Sequence, residues 1–416
     1  MTLKRIQVAT EWHPGQQAEC LVYLDDAATR LRALRRTHTG QIKAIYMDPP
    51  YMTGDRFSMS VRVGEAGWKS ARGNLSLPTF SDKKSREDFL AMMREVLVEC
   101  RELLREDGMI FVHIDYRAHP YLRLMMDEIF GEKNFLNEII WVYQSGGRSV
   151  RHFSRKHDVI LFYAKSEQYD FNIDAVMAPP AVPRNNHMRR HVDADGRTYR
   201  SIRTNGKVYT YYDDAPVAPT DVWMDLSHLQ QKDPERTGYD TQKPLSLLKR
   251  IVLCSTRPGE WVLDPFSGSG TALEAARLSG RNSIGIDSCP LTLNLARRRL
   301  HGASLRLSPN PADAAVEPVC QVSVQPGVGF YHVTLERFEA PVPGAPELTE
   351  PMAAVDNWSV GYLREGGVYE VMADFARTRR APALKTELCA PVYAGQLAMC
   401  VNDVAGRSYY YVMDGE

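Results

Sequence analysis

The sequence comprises 416 residues, of which 44% are hydrophobic and 25% charged, a composition typical of a globular protein with two or three domains. No apolar run is long enough to cross a bilayer and the N-terminus lacks the apolar core of a signal peptide, so we expect a cytoplasmic protein without a membrane partner. The seven cysteines are scattered and never in CxxC spacing, which argues against a disulfide framework and a metal site. The formal net charge is zero, so binding of nucleic acid would require a local excess of basic residues on one surface.

Strands and helices alternate over the first part of the chain. The apolar patterns predict strands at 20–24, 44–47, 109–114 and 138–143, and helices at 27–36, 85–108 and 119–131. The strand at 44–47 ends directly at Asp48, and Gly108 is the expected end of the helix that Ser85 caps. An irregular stretch is expected at 52–84. This alternation predicts an α/β fold with a largely parallel, doubly wound sheet.

The regular pattern is interrupted at 144–240, where one strand at 159–164 is followed by polar sequence with many turn signals. It resumes with helices at 244–254, 271–278 and 290–300 and strands at 261–264 and 283–287. Short alternating runs after residue 303 predict a small β-rich domain. We therefore expect two halves of one domain at 1–143 and 241–303, an insert at 144–240 and a C-terminal domain at 304–416.

A glycine-rich turn, DPFSGSG, spans Asp264 to Gly270 between a predicted strand and a predicted helix. Ligands bind at this end of the strands in doubly wound sheets, and glycine allows close approach to the backbone. The spacing is not that of a P-loop, and Leu273 stands where a dinucleotide fingerprint needs a small residue. A nucleoside cofactor without a pyrophosphate fits better, with Asp287 at the end of the next strand to hold ribose hydroxyls. The alternative is an ordinary turn with a helix-capping aspartate.

The segment Asp48-Pro49-Pro50-Tyr51 follows the strand at 44–47 and is expected at the same edge of the sheet. Two prolines stiffen the backbone, while the Asp48 carboxylate and a carbonyl near Pro49 can accept hydrogen bonds from an exocyclic amine. Such bonds would direct the nitrogen lone pair towards an electrophilic methyl group. Tyr51 could stack on a base that has left the duplex. The alternative is a rigid type I turn.

Three stretches resemble the motifs of amino-directed DNA methyltransferases: AIYMDPPY, TGYDTQKPLSLLKRIV and VLDPFSGSGTALEAARLSGRNSIGID. Because the catalytic motif precedes the glycine loop, the chain is similar to the permuted β class, and most to the modification subunits of type III restriction-modification systems. The resemblance covers about 20–165 and 220–300. It implies a Rossmann-like methyltransferase fold, S-adenosylmethionine as cofactor and a flipped-out base in duplex DNA as substrate.

The resemblance also assigns residues. It implies that Asp48, Pro49, Pro50 and Tyr51 bind the target amine, and that Asp25, Thr241, Gln242, Lys243, Pro244, Asp264, Phe266, Gly268, Gly270 and Asp287 bind the cofactor. Asp26 is an alternative to Asp25, and a helix cap is the alternative for Lys243 and Pro244. DPPY is more usual in this family for N6-adenine than for N4-cytosine. C5-cytosine chemistry is disfavoured because no Pro-Cys pair occurs.

The insert is the expected target-recognition region. From Arg148 to Lys207 it carries twelve basic residues against six acidic ones, interleaved with tyrosines. The residues selected as DNA-binding are Arg148, Arg151, Arg155, Lys156, Arg189 and Arg190. The leading hypothesis is an adenine-N6 DNA methyltransferase acting on double-stranded DNA. N4-cytosine methylation and a catalytically silent DNA-binding specificity subunit are the alternatives. A homodimer and a restriction subunit are left open as partners, and the insert is short for a type III subunit.

Overall fold

The computed structural model of the protein describes residues 2–70, 74–143, 149–179, 188–308, 316–344 and 352–414. Its helices are α1 Ala27–His38, α2 Gly64–Ser70, α3 Arg86–Leu103, α4 His119–Phe130, α5 Leu245–Ser255, α6 Thr271–Leu278 and α7 Leu291–Arg299. The strands up to the insert are β1 Thr2–Ile6, β2 Thr10–His13, β3 Glu19–Leu24, β4 Ile42–Met47, β5 Arg56–Val61, β6 Leu75–Ser81, β7 Leu104–Ile114 and β8 Phe135–Val142. Within the insert lie β9 His157–Ala164, β10 Arg190–Val192, β11 Thr198–Thr204, β12 Lys207–Tyr212 and β13 Val222–Trp223. The remaining strands are β14 Trp261–Asp264, β15 Asn282–Asp287, β16 Ser304–Ser308, β17 Val319–Pro326, β18 Phe330–Glu339, β19 Val355–Arg364, β20 Val368–Ala376, β21 Glu387–Pro391, β22 Gln396–Asp403 and β23 Ser408–Asp414.

The centre of the fold is a parallel sheet in the order β16-β3-β15-β14-β4-β7, continued by β9, β8 and the short β13. Strand β9 is antiparallel to both β7 and β8. Along each of the strands β4 and β7, consecutive residues point to opposite faces of the sheet. Ile45 and Ile110 pack with α1, α3 and α4, whereas Tyr46 and Phe111 pack with α5 and α6. Helices therefore cover both faces of the sheet, as the alternation of elements predicted, and the doubly wound α/β fold is confirmed.

Local sequence determines where several elements begin. The Asp26 carboxylate accepts a hydrogen bond from the Thr29 N–H at the start of α1, and the Ser85 hydroxyl accepts one from the Asp88 N–H at the start of α3. Gly131, with a φ of 91°, follows the end of α4. Ser85 and Gly131 are residues on which the helix predictions were based, whereas the cap at Asp26 was not predicted.

The predicted end of the third helix at Gly108 is wrong, because α3 ends at Leu103 and β7 begins at once with Leu104. The buried Lys43 ammonium explains the early end. It donates to the carbonyl oxygen and the carboxylate of Asp107 at 2.7 and 3.0 Å. These bonds hold residues 104–108 in the sheet beside β4 instead of in the helix. The stretch 52–84, expected to be irregular, also contains the β5–β6 hairpin and α2.

The C-terminal strands continue the central sheet. Strand β2 is antiparallel to β16 and parallel to β20, and the order then runs through β19, β22 and β23 to β1. A second sheet, β17-β18-β21, lies in the same region, and the insert has its own sheet, β10-β11-β12. Residues 304–308, assigned to the C-terminal domain by composition, form β16 beside β3. The domain boundaries remain predictions. In the described ranges, no helix combines the length and apolar character needed to span a membrane.

Candidate active site

Four aspartates end neighbouring parallel strands at one edge of the sheet. Asp48 follows β4, Asp264 ends β14, Asp287 ends β15 and Asp25 follows β3. Leu263 of β14 is paired with Ile45 of β4 on one side and with Ile284 of β15 on the other, so these strand ends lie side by side. A cavity of about 320 Å³ opens at this edge. Of the predicted site residues it is lined by Asp25, Asp48, Pro50, Thr241, Lys243, Asp264, Phe266, Gly268 and Asp287.

The glycine loop is held by Asp287. One carboxylate oxygen accepts a hydrogen bond from the Gly268 N–H at 2.7 Å and the other accepts one from the Cys289 N–H at 2.8 Å. Gly268 and Gly270 have φ angles of 46° and 74°, which favour glycine. A Cβ on Gly268 would also lie 3.3 Å from the Tyr239 ring. Position 268 therefore requires glycine both for the backbone conformation of the loop and for the close approach of Tyr239.

Asp48 is held from two directions. Its carboxylate forms an ion pair with the Lys243 ammonium and accepts a hydrogen bond from the Tyr51 hydroxyl. The Asp48 and Lys243 side chains are 16% and 13% exposed, so the pair is largely shielded from water. Asp48 and Pro50 line the cavity, while Pro49 and Tyr51 do not. Tyr51 instead packs against the core, with its ring 6.4 Å from that of His113.

A buried network supports the catalytic segment from behind. His113 is fully buried, with its Nδ1 2.9 Å from the Tyr46 hydroxyl and its Nε2 3.3 Å from the Asp158 carboxylate. The Tyr143 hydroxyl donates to the other Asp158 oxygen at 3.1 Å. Burial opposes the Asp158 charge, but the hydrogen bonds with His113 and Tyr143 and the positive charges of His113 and Lys243 together outweigh it, so the pKa of Asp158 lies below its usual value. His113 thus links this network to Tyr51, whose ring it faces.

Asp82 is a site residue that the sequence did not indicate. Its buried carboxylate accepts hydrogen bonds from the N–H groups of Tyr51, Met52 and Thr53 at 3.0, 3.0 and 2.8 Å, and from the Thr53 hydroxyl at 3.0 Å. Met52 has a φ of 59°, an uncommon value for a residue other than glycine. Asp82 therefore fixes the loop that directly follows Asp48-Pro49-Pro50.

Replacing Asp82 with Ala is expected to reduce both stability and turnover. The change leaves three partly buried N–H groups without their acceptor, which should lower the free energy of unfolding by about 2–3 kcal/mol. It should also lower kcat more than it raises the KM for cofactor, because the affected loop adjoins Asp48. Urea unfolding and steady-state kinetics measure the two effects. Lys83→Ala, at the exposed neighbouring position, is the matched control, and equal kcat in both variants would contradict the positioning role.

The charges of the cavity suit a cationic ligand. Burial raises the pKa of Asp264 well above its ordinary value, and the nearby Asp48 and Asp287 carboxylates raise it further. Burial also raises the pKa of Asp287. A positive group between these carboxylates would relieve their repulsion. The Ser267 hydroxyl, which lines the same cavity, is buried and has no hydrogen-bond partner within the described ranges. These features fit the sulfonium and ammonium charges and the hydroxyl groups of S-adenosylmethionine.

Cofactor affinity is therefore expected to increase with pH. Because the raised pKa values keep Asp264 and Asp287 partly protonated above the usual range, binding of a cation should release protons. In the absence of cofactor the folded state holds more protons than the unfolded chain between the ordinary and the raised pKa values. Its stability should thus fall as pH rises through that window. Calorimetry in two buffers of different ionisation enthalpy measures the proton release, and a pH-independent affinity without release would refute the assignment.

Several of the predicted cofactor residues are engaged in contacts within the protein or do not line the cavity. Asp25 and Asp26 both line the cavity, but Asp26 caps α1 and the Asp25 carboxylate is 2.9 Å from Arg30 Nε. Gln242 is buried and turned away, since its side chain bonds Thr237 and the Glu235 backbone. Pro244 is the N-cap residue of α5. Gly270 begins α6 but does not line the cavity.

The predicted DNA-binding residues fall into two groups. Arg151, Arg155 and Lys156 lie between β8 and β9, and the Arg155 guanidinium donates to the Tyr116 hydroxyl at 2.8 Å. Arg189 and Arg190 are exposed at the β10 edge of the insert's own sheet. Arg148 lies outside the described residues.

Comparison with known proteins places the chain in a family. The family model described as DNA methylase, of the N6/N4 methyltransferase type, matches residues 42–297. The chain is 31% identical to the type II methyltransferase M.EcaI of Enterobacter cloacae, over 59% of this chain and 61% of that protein. It is 29% identical to the DNA adenine methyltransferase YhdJ of Escherichia coli K12, over 70% of this chain and 85% of that protein. It is 25% identical to the StyLTI Mod subunit, a type III restriction-modification enzyme of Salmonella typhimurium, over 59% of this chain and 48% of that protein.

A parallel sheet with a glycine loop and a DPPY segment at adjacent strand ends defines a methyltransferase with S-adenosylmethionine as cofactor. More particularly, the chain belongs to the N6/N4 DNA methylase family, because the family model spans more than half of its length and both motifs. The resemblance seen in the sequence is confirmed. The roles of the individual site residues remain predictions.

Proposed function

We propose that the protein transfers a methyl group to the exocyclic N6 of a flipped-out adenine in duplex DNA. The observation that carries the proposal is the position of the Asp48 carboxylate, at the cavity wall one strand from the glycine loop. The DPPY form and the similarity to a DNA adenine methyltransferase favour adenine over cytosine. The cofactor, when bound, supplies an electrophilic methyl group.

The protein's own contribution is to hold and polarise the target amine. Lys243 and Tyr51 fix the Asp48 carboxylate, and Asp82 fixes the loop behind Tyr51. In this arrangement Asp48 accepts a hydrogen bond from the amine N–H and stabilises the positive charge that develops on nitrogen during transfer. The stiff backbone of Pro49 and Pro50 keeps a carbonyl oxygen at a fixed distance from the same amine. The nitrogen then releases its proton to water at the open mouth of the cavity.

Incubation of the protein with unmethylated DNA and methyl-labelled cofactor tests this function. After digestion of the DNA to nucleosides, the label should be found in N6-methyl-2′-deoxyadenosine. Label in N4-methylcytosine would establish the cytosine alternative instead. If the protein bound cofactor and DNA but labelled no DNA substrate, the enzymatic proposal would be wrong and the specificity-subunit alternative would stand.

The basic insert is proposed to hold the DNA backbone. Replacement of Arg151 and Arg155 with Ala should weaken binding to all duplex sequences and reduce the slope of log K against log salt by about 0.9 for each phosphate that is no longer neutralised. Fluorescence anisotropy at several salt concentrations measures the slope. Arg337→Ala, an exposed change on β18, serves as the control. Equal slopes for the double variant and the control would remove these arginines from the interface.

Partners other than DNA remain predictions. The sequence left open a homodimer and a restriction subunit. Similarity to a type III Mod subunit supports the second partner, whereas the relatives of higher identity, M.EcaI and YhdJ, are named as a type II and a DNA adenine methyltransferase.

A further inference from the structure

A second cavity, of about 410 Å³, lies between the methyltransferase sheet and the C-terminal strands. Its walls are formed by β5, α2, α7 and the segment before α5 on one side, and by Asp356, Val404 and residues 378–380 on the other. Among the described residues, six arginines and two acidic residues line it: Arg62, Arg236, Arg298, Arg299, Arg379 and Arg380, with Glu235 and Asp356. The cavity is therefore strongly basic, in a protein without net charge.

Most of this charge is not neutralised within the described residues. Arg298 pairs with Asp356, and Arg299 pairs with Glu274 at 2.5 Å. Arg62, Arg379 and Arg380 have no carboxylate within salt-bridge distance in the part of the chain that the structure describes. Burial and the positive charges of Arg379 and Arg298 together lower the pKa of Arg62. Crowded guanidinium groups of this kind repel one another, and an anion placed among them removes the repulsion.

Trp68 forms cation–π contacts with two of these arginines. The guanidinium carbons of Arg62 and Arg298 lie over its ring, 4.9 and 5.0 Å from the ring centre. The Nε of Arg298 and the Nε1 of Trp68 are buried without a hydrogen-bond partner among the described residues. Buried donors normally have acceptors, so the cavity offers unused N–H groups as well as positive charge.

The second cavity is separate from the cofactor cavity but shares a wall with it. Arg299 donates to the Ser269 carbonyl oxygen at 3.0 Å and to the Thr271 hydroxyl at 3.1 Å, and both of those residues line the cofactor cavity. The Arg299 guanidinium is thus occupied by the glycine loop. The guanidinium groups left to hold a ligand are chiefly those of Arg62, which is partly buried, and Arg379, which is exposed.

We propose that this second cavity binds a phosphate group through Arg62 and Arg379, with the Nε–H of Arg298, which has no partner within the described ranges, beside them. Guanidinium groups match phosphate oxygens with pairs of parallel, charge-assisted hydrogen bonds, which makes phosphate the anion best suited to such a cluster. The phosphate belongs either to the backbone of DNA or to a small phosphorylated molecule. The proposal does not depend on which base is methylated. If the second cavity binds no phosphate, the proposed methyl transfer still stands.

The first experiment uses pyrophosphate as the probe. Pyrophosphate should change the tryptophan emission of the full chain in a saturable way, and Trp68→Phe should remove that change while calorimetry still detects binding. Arg62→Ala and Arg379→Ala should each raise the Kd at least tenfold. Arg62→Lys, which keeps the charge and covers Trp68, should raise it less. Arg337→Ala should leave the Kd unchanged.

The second experiment identifies the source of the phosphate. If the ligand is DNA, duplex should compete with pyrophosphate, and Arg62→Ala and Arg379→Ala should each reduce the salt slope of DNA binding by about one. If it is a small molecule, pyrophosphate should bind equally well to the protein–DNA complex and the salt slope should not change. The absence of saturable pyrophosphate binding, together with unchanged salt slopes in both variants, would overturn the proposal.

Discussion

Asp48→Ala is expected to lower the rate of methyl transfer by about a thousandfold, the effect of removing a preorganised group that stabilises developing charge. The carboxylate is the acceptor that the mechanism needs for the target amine, and it lies at the cavity wall. Cofactor affinity should fall much less than the rate, because Asp287 rather than Asp48 holds the glycine loop. Single-turnover kinetics with labelled cofactor measures the rate, and equilibrium dialysis measures the affinity.

Two further variants sharpen this test. Asp55→Ala removes an exposed carboxylate from the same loop and should leave the rate unchanged. Asp48→Asn keeps one oxygen acceptor but loses the charge and the ion pair with Lys243, so an intermediate rate is expected. Transfer at the normal rate by Asp48→Ala would exclude Asp48 from the chemistry, whatever the other variants did.

Asp287→Ala is expected to raise the Kd for S-adenosylmethionine by about a hundredfold, equivalent to about 2.8 kcal/mol. The carboxylate accepts two backbone hydrogen bonds that shape the glycine loop, and hydrogen bonds to a charged group contribute about 1.5–3 kcal/mol each. Any direct hydrogen bond between the carboxylate and the ribose would be removed as well. Isothermal calorimetry measures the Kd.

The same assay provides the control for Asp287. Asp287→Asn keeps the size of the side chain but cannot ionise, so its affinity should be intermediate and should vary less with pH than that of the unchanged protein. DNA binding should remain normal in both variants, since the basic insert lies elsewhere. Unaltered cofactor affinity in Asp287→Ala would show that the loop holds its shape without this carboxylate.

The sequence predicted the fold and the two motifs because each depended on local patterns. Strand β4 alternates between residues that face opposite helix layers, and it stops at Asp48. The strand, glycine loop, helix and acid of the cofactor motif lie within a short stretch of chain. Leu273, which breaks a dinucleotide fingerprint, fits because Gly285 on the adjacent β15 leaves room for it: a Cβ there would lie 2.5 Å from Leu273 Cδ1.

Features that depend on contacts between distant segments were not predictable in this way. The early end of α3 follows from the Lys43 ion pair with Asp107 across the sheet. Asp82 lies in a stretch without a periodic pattern, and nothing in its neighbours indicates that it binds the loop at Tyr51. The arginine cavity combines α2 and α7 with residues 378–380. Periodicity reports the faces of single elements, whereas these arrangements arise only when the elements pack together.

Among the described residues, the central sheet has fifteen strands, and its two outer strands have a consequence for association between copies of the protein. Strand β13 at one edge has only two residues, and β1 at the other has five, including Lys4 and Arg5. A long, flat, apolar outer strand would offer a template for pairing with another chain and for aggregation, and short or charged strands resist it. The sheet is thus protected against edge-to-edge growth at both ends. A dimer of this protein is therefore not expected to form by extension of this sheet from one copy to the next.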